Sequence, residues 1–89
     1  MTHYAFPPAR AYRLNKCLFA LKSDDAFRAR FLKDPERVMA ELELSPDERA
    51  ALAAQDRDRL VALGAHAYLV FMAQFRLRME TEGSAFEYL

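Results

Sequence analysis

Apolar residues in this chain recur at intervals of three and four, and nowhere do they alternate with polar ones over the length of a strand. The pattern predicts an all-α fold of about five helices. After the stiff pair Pro7-Pro8, a first helix is expected from about Ala9 to Lys22, with Tyr12, Cys17, Leu18, Phe19 and Leu21 spreading apolar surface around more than one face. Ser23 and Asp24 can cap a second helix, on which Phe27 and Phe31 sit one turn apart while Arg28 and Arg30 face elsewhere. Asp34-Pro35-Glu36 is a helix start, with Asp as N-cap, Pro at the first position and an acid beside the positive end of the dipole. That helix should reach Leu42 and bury Val38, Met39 and Leu42.

Ser45-Pro46-Asp47-Glu48 repeats the device as an S-x-x-E capping box. Its helix runs to Ala54, and the pattern leaves open a continuation through Asp56 to Leu63. Gly64 ends it, since glycine takes the left-handed conformation that helix ends favour. A last helix is expected from roughly His66 to Glu80, carrying Tyr68, Leu69, Phe71, Met72, Phe75 and Met79. The whole reads as a single helical domain over residues 1–89, with an extended lead at 1–8 and a short tail at 83–89.

Size and charge narrow the function. A chain of 89 residues buries only about 60–65% of its unfolded surface, so its core is thin and it cannot wall a large catalytic cleft alone. Lysine and arginine number 13 and so do the acids, which removes the basic excess expected of a nucleic-acid binder. A helical DNA-binding regulator would also need a basic outer face on its recognition helix, and the last helix is apolar instead. The longest apolar stretch, Ala65 to Ala73, is broken by His66 and falls far short of the ~20 residues of a bilayer span. One cysteine, Cys17, and an N-terminus without a positive region followed by an apolar run fit a cytoplasmic protein.

Catalytic constellations are scarce. His3 and His66 are far apart, and the residues three and four away from His66 are Ala62, Leu63, Leu69 and Val70, so no metal-ligand cluster forms on the helix. Cys17 reads as a small buried hydrophobe. Neither a catalytic nor a metal-binding residue is expected in this chain. His66 has two open roles: a helix cap or core histidine, or a group pointing out of the chain reversal at a partner or ligand. Seven Phe and four Tyr are also generous for so thin a core. Tyr4, Phe6, Tyr12, Phe86 and Tyr88 lie near the ends, where they either fold back or mark an interface.

Two stretches carry a resemblance. Ala11-Tyr12-Arg13-Leu14-Asn15-Lys16-Cys17 resembles the G-Y-x-L-N-K segment of the small (α) subunit of protocatechuate 4,5-dioxygenase-type extradiol ring-cleaving enzymes. Phe31-Leu32-x-Asp34-Pro35, Leu44-Ser45-x-x-Glu48 and Asp56-x-Asp58-x-x-x-x-Leu63-Gly64-Ala65-His66-x-Tyr68-Leu69 follow the rest of that pattern in order, so the likeness spans about Tyr12 to Phe71. It implies a non-catalytic subunit that caps the active site of a larger β subunit. In that family the β subunit holds Fe(II) and opens a catechol-type ring with both atoms of O2. Asn15, Gly64, His66, Tyr68 and Phe71 are then the candidates for the rim facing the partner and its substrate.

Two positions depart from the pattern. Ala11 stands where relatives commonly have glycine, and His66 replaces the polar residue usual in protocatechuate-type sequences. The second change points to another catechol, a gallate-like compound or an aminophenol-type diol. Self-association is expected when the chain is isolated. The rival reading is a stand-alone helical homodimer with no enzyme partner.

Overall fold

In the computed structural model, which describes residues 11–86 and their side chains as far as residue 82, six helices follow one another with no strand among the described residues. They are α1 (Tyr12–Ser23), α2 (Asp25–Lys33), α3 (Pro35–Glu41), α4 (Pro46–Ala54), α5 (Arg57–Ala62) and α6 (Ala67–Phe86). The lead at 1–8, with Tyr4 and Phe6, lies outside the described residues, as do Tyr88 and the side chain of Phe86.

The starts of α2, α3 and α4 obey the capping logic. Asp24 accepts from the Phe27 amide at 3.0 Å, and Asp34 from the Arg37 amide at 3.3 Å. Ser45 and Glu48 close both halves of their box, at 3.1 and 2.8 Å. The continuation from α4 to Leu63 that the pattern left open does not occur. Gln55 turns left-handed with φ 56°, and Asp56 caps a new helix by accepting from the Arg59 amide at 3.1 Å. The last helix begins one residue later than expected and runs on through Gly83 to Phe86, so residues 83–86 are helical rather than tail.

Helix ends share one device. At the ends of α3, α4 and α5, the amides of Leu44, Asp56 and Ala65 donate to carbonyls five residues back, at 3.2, 3.0 and 2.9 Å. Glu43, Gln55 and Gly64 precede them with positive φ, which is the Schellman arrangement. Only at Gly64, with φ 110°, does the backbone leave the left-handed region open to other residues.

The core is one cluster. Leu14, Cys17, Leu18 and Leu21 of α1 meet Phe31 of α2, Val38 and Met39 of α3, Leu52 of α4, Leu60 of α5, and Val70, Ala73 and Leu77 of α6. Leu42, expected inside, is half-buried against it. The α1–α6 contact is the most extensive between helices, and two polar ties secure it. At the near end Asn15 bonds the turn before α6. At the far end lies Arg28, which was expected to face away and is instead 3% exposed. Its Nη1 donates to the Leu21 carbonyl at 2.8 Å, its Nε to Glu80 at 3.3 Å, and its Nη2 pairs with Asp25. Arg28 thus closes the end of α1 and holds it to α6, so the two helices set out in the same general direction.

Candidate functional site

The turn between α5 and α6 assembles most of the candidate residues. Asn15, on α1, is 8% exposed and turned inwards. Its Nδ2 donates to the carbonyls of Ala11 at 3.0 Å and Gly64 at 3.1 Å, and its Oδ1 accepts from the His66 amide at 2.7 Å. Two donated bonds and one accepted bond fix which way the amide points. Gly64 supplies the positive-φ corner that brings its carbonyl to Asn15.

His66 stands at the N-cap position of α6, where its own carbonyl accepts from the Val70 amide at 3.0 Å. The imidazole is exposed, and its Nδ1 accepts from the Tyr68 amide at 3.2 Å. It therefore caps a helix and is not a core histidine. Tyr68 meets it edge-on, with ring centroids 6.5 Å apart and planes at 89°.

Tyr68 also begins a stripe. With Phe71, Phe75 and Met79 it falls within an arc of roughly 80° on α6 at 3.6 residues per turn, and all four are exposed. Phe71 is 54% exposed, and its ring stacks on Phe75 with centroids 6.4 Å apart. Val70, Ala73 and Leu77 occupy the opposite side of the helix and enter the core. So α6 is apolar on two opposed faces, of which the described residues cover one. On α1, Tyr12 and Phe19 lie seven residues apart on the side away from Leu14, Cys17 and Leu21, and both are exposed. The Lys22 ammonium joins the two helices' aromatics, lying 5.1 Å from the Phe19 ring centre and 6.0 Å from that of Tyr68.

Of the five candidates, Asn15, Gly64 and His66 are tied by hydrogen bonds, Tyr68 flanks them, and Phe71 follows one turn along the outer face. Phe19, Lys22, Phe75 and Met79 belong to that face and were not singled out from the sequence. The signal for Phe75 and Met79 was their spacing of four and eight from Phe71.

Reactive chemistry is muted. Cys17 is buried, and burial, with a smaller contribution from the charge of Glu48, pushes its thiol up to about 12. A thiol held so firmly in its neutral form is a packing group. Among the described residues no three His, Cys, Asp or Glu side chains are grouped as metal ligands would be. Among the same residues, no helix is long and apolar enough to cross a membrane.

The fold and this surface define a small all-α protein whose exposed aromatics gather on one pair of helices. Residues 14–87 match the family described as the aromatic-ring-opening dioxygenase LigAB, LigA subunit, and the chain belongs to that family. Neither a curated protein nor a solved structure matches it.

Proposed function

We propose that this chain is the non-catalytic small subunit of an aromatic-ring-opening dioxygenase, docked by its α1–α6 outer face over the active site of a larger catalytic subunit. Membership of the LigA-subunit family gives the reaction class. The observation that carries the docking is the exposed apolar face itself, formed among the described residues by Tyr12, Phe19, Tyr68, Phe71, Phe75 and Met79. Large aromatics left exposed together are the usual anchors of an interface.

Iron would belong to the catalytic subunit, where Fe(II) supplies the dioxygen chemistry. The work of this chain is to shape and seal. A docked apolar wall excludes water from a site that opens a ring. His66 and Tyr68 border the same face, which puts them at the rim of the enclosed pocket in this reading. A catechol, a gallate-like compound or an aminophenol-type diol would be the substrate.

Co-expression with an Fe(II) extradiol catalytic subunit is the test. The chain should co-purify with it, and ring cleavage by that subunit should rise when the chain is present. Alone, the chain should self-associate or bind a hydrophobic dye, and show no ring cleavage. A stable homodimer that ignores the catalytic subunit would favour the rival reading, an interaction module with no enzyme partner.

A further inference from the structure

We propose that Asn15 is a positioning residue that holds His66 as a one-sided hydrogen-bond donor, with its Nε2–H presented to an oxygen acceptor on the ring-bearing substrate. The role of Asn15 stands on this chain alone, and the assignment to substrate rests on the function proposed above.

The geometry starts at the buried amide. Asn15 grips the turn on both sides of Ala65, accepting from the His66 amide at 2.7 Å and donating to the Gly64 carbonyl at 3.1 Å. Ala65 is itself buried, which pins the segment from below. With the backbone of His66 fixed, its Nδ1 lies 3.2 Å from the Tyr68 amide nitrogen. A backbone N–H can only donate, so Nδ1 meets it with a lone pair. The proton of the neutral ring is then on Nε2. That nitrogen is on the exposed side chain and has no partner among the described residues. Tyr68 flanks the ring at 89°, which limits how far it can rotate.

A fixed donor discriminates. A carboxylate, carbonyl or phenolate oxygen on the substrate accepts from Nε2–H, whereas a ring amine meets donor with donor. The arrangement favours a ring bearing an oxygen acceptor at the rim over an amino-substituted one. A free imidazole exchanges between its two neutral forms; the Tyr68 amide on Nδ1 removes that freedom, and the Asn15 clip on the His66 backbone keeps the ring in reach of it.

Two measurements separate the parts. Nitrogen-15 NMR of the full chain, in mildly alkaline solution where an ordinary imidazole is neutral, should show His66 with Nδ1 unprotonated. A nitrogen–nitrogen coupling should also cross from Nδ1 to the Tyr68 amide. In Asn15→Ala the coupling should vanish and both ring forms should appear. A protonated Nδ1 in the wild type, a missing coupling, or an unchanged ring in folded Asn15→Ala overturns the positioning role. The wild-type spectrum decides this even where the variant fails to fold.

For the substrate, His66→Asn keeps a capping oxygen and removes the imidazole. In the assembled enzyme KM should rise about tenfold for a catechol carrying a carboxylate, the scale of one lost hydrogen bond to a charged group. For the amino-substituted analogue it should stay within a factor of about two, well short of that loss. An equal rise for both overturns the donor selectivity alone. No change for either overturns the placement of His66 at the pocket, while the NMR result stands or falls by itself.

Discussion

Between α3 and α5 every helix start is closed by a neighbouring side chain, at Asp34, Ser45 and Asp56, and every end by a Schellman turn. Surface ion pairs bridge the same stretch, Arg30 and Arg37 to Glu41 and Arg59 to Asp47. The α1–α6 pair is built otherwise. Its polar ties are few and largely buried, and its outer side shows six large apolar residues to solvent. The first region is closed mainly by local capping, while the second leaves its large aromatics exposed among the described residues. An arc of short helices needs little more than local capping, because each helix must only reach the shared core. A pair of helices with apolar surface on opposed sides has more to cover than the other described helices supply.

The largest effect should come from charging the open side. Phe71→Glu should weaken docking to the catalytic subunit by about thirtyfold or more, the scale of a lost interface anchor. The thermal unfolding of the isolated chain should barely move. Titration of labelled chain into catalytic subunit checks the first, and calorimetry the second. A variant that docks normally would place the interface elsewhere.

Next is the far tie. Arg28→Ala removes bonds to two helices and uncovers the last carbonyls of α1, which should lower stability by about 2 kcal/mol in chemical denaturation. The figure is kept below that of a fully buried pair because Asp25 and Glu80 remain substantially open to water. Ser45→Ala tests the self-contained arc. It should cost about 1 kcal/mol, as lost N-caps do, and leave turnover of the assembled enzyme unchanged well below its melting temperature. The smallest change has the opposite sign. Gln55→Gly relieves a side chain at φ 56° and should raise stability by a few tenths to about 1 kcal/mol, with activity unaffected.

Much of the arc was legible in the sequence, because capping is local. Asp34 and Ser45 act on amides three residues away, well within the reach of a sequence pattern. The break at Gln55 was not legible, since a left-handed glutamine carries no marker comparable to Gly64. The N-cap signal at Asp56 was present but competed with an unbroken helical composition. Of the site, the Gly64 corner could be read directly, whereas the sequence left His66 open between a cap or core histidine and an outward-pointing group. The inward turn of Asn15 could not be read, because its partners lie 49 and 51 residues away. On α6 the pattern showed apolar residues on both sides without showing which side the chain would cover. Arg28 failed for a related reason: a charged side chain on a short helix reads as solvated until a helix end and Glu80 close around it.

The two ties between α1 and α6 also bear on how costly association is. Asn15 at one end and Arg28 at the other hold the helices that carry the aromatic rings. The spacing between the two rows of rings is therefore set when the chain folds. Little backbone entropy remains to be lost when a partner arrives, so more of the contact energy survives as affinity. In the proposed assembly the face should therefore bind as a preformed template, with a dissociation rate that responds to single side chains more than the association rate does.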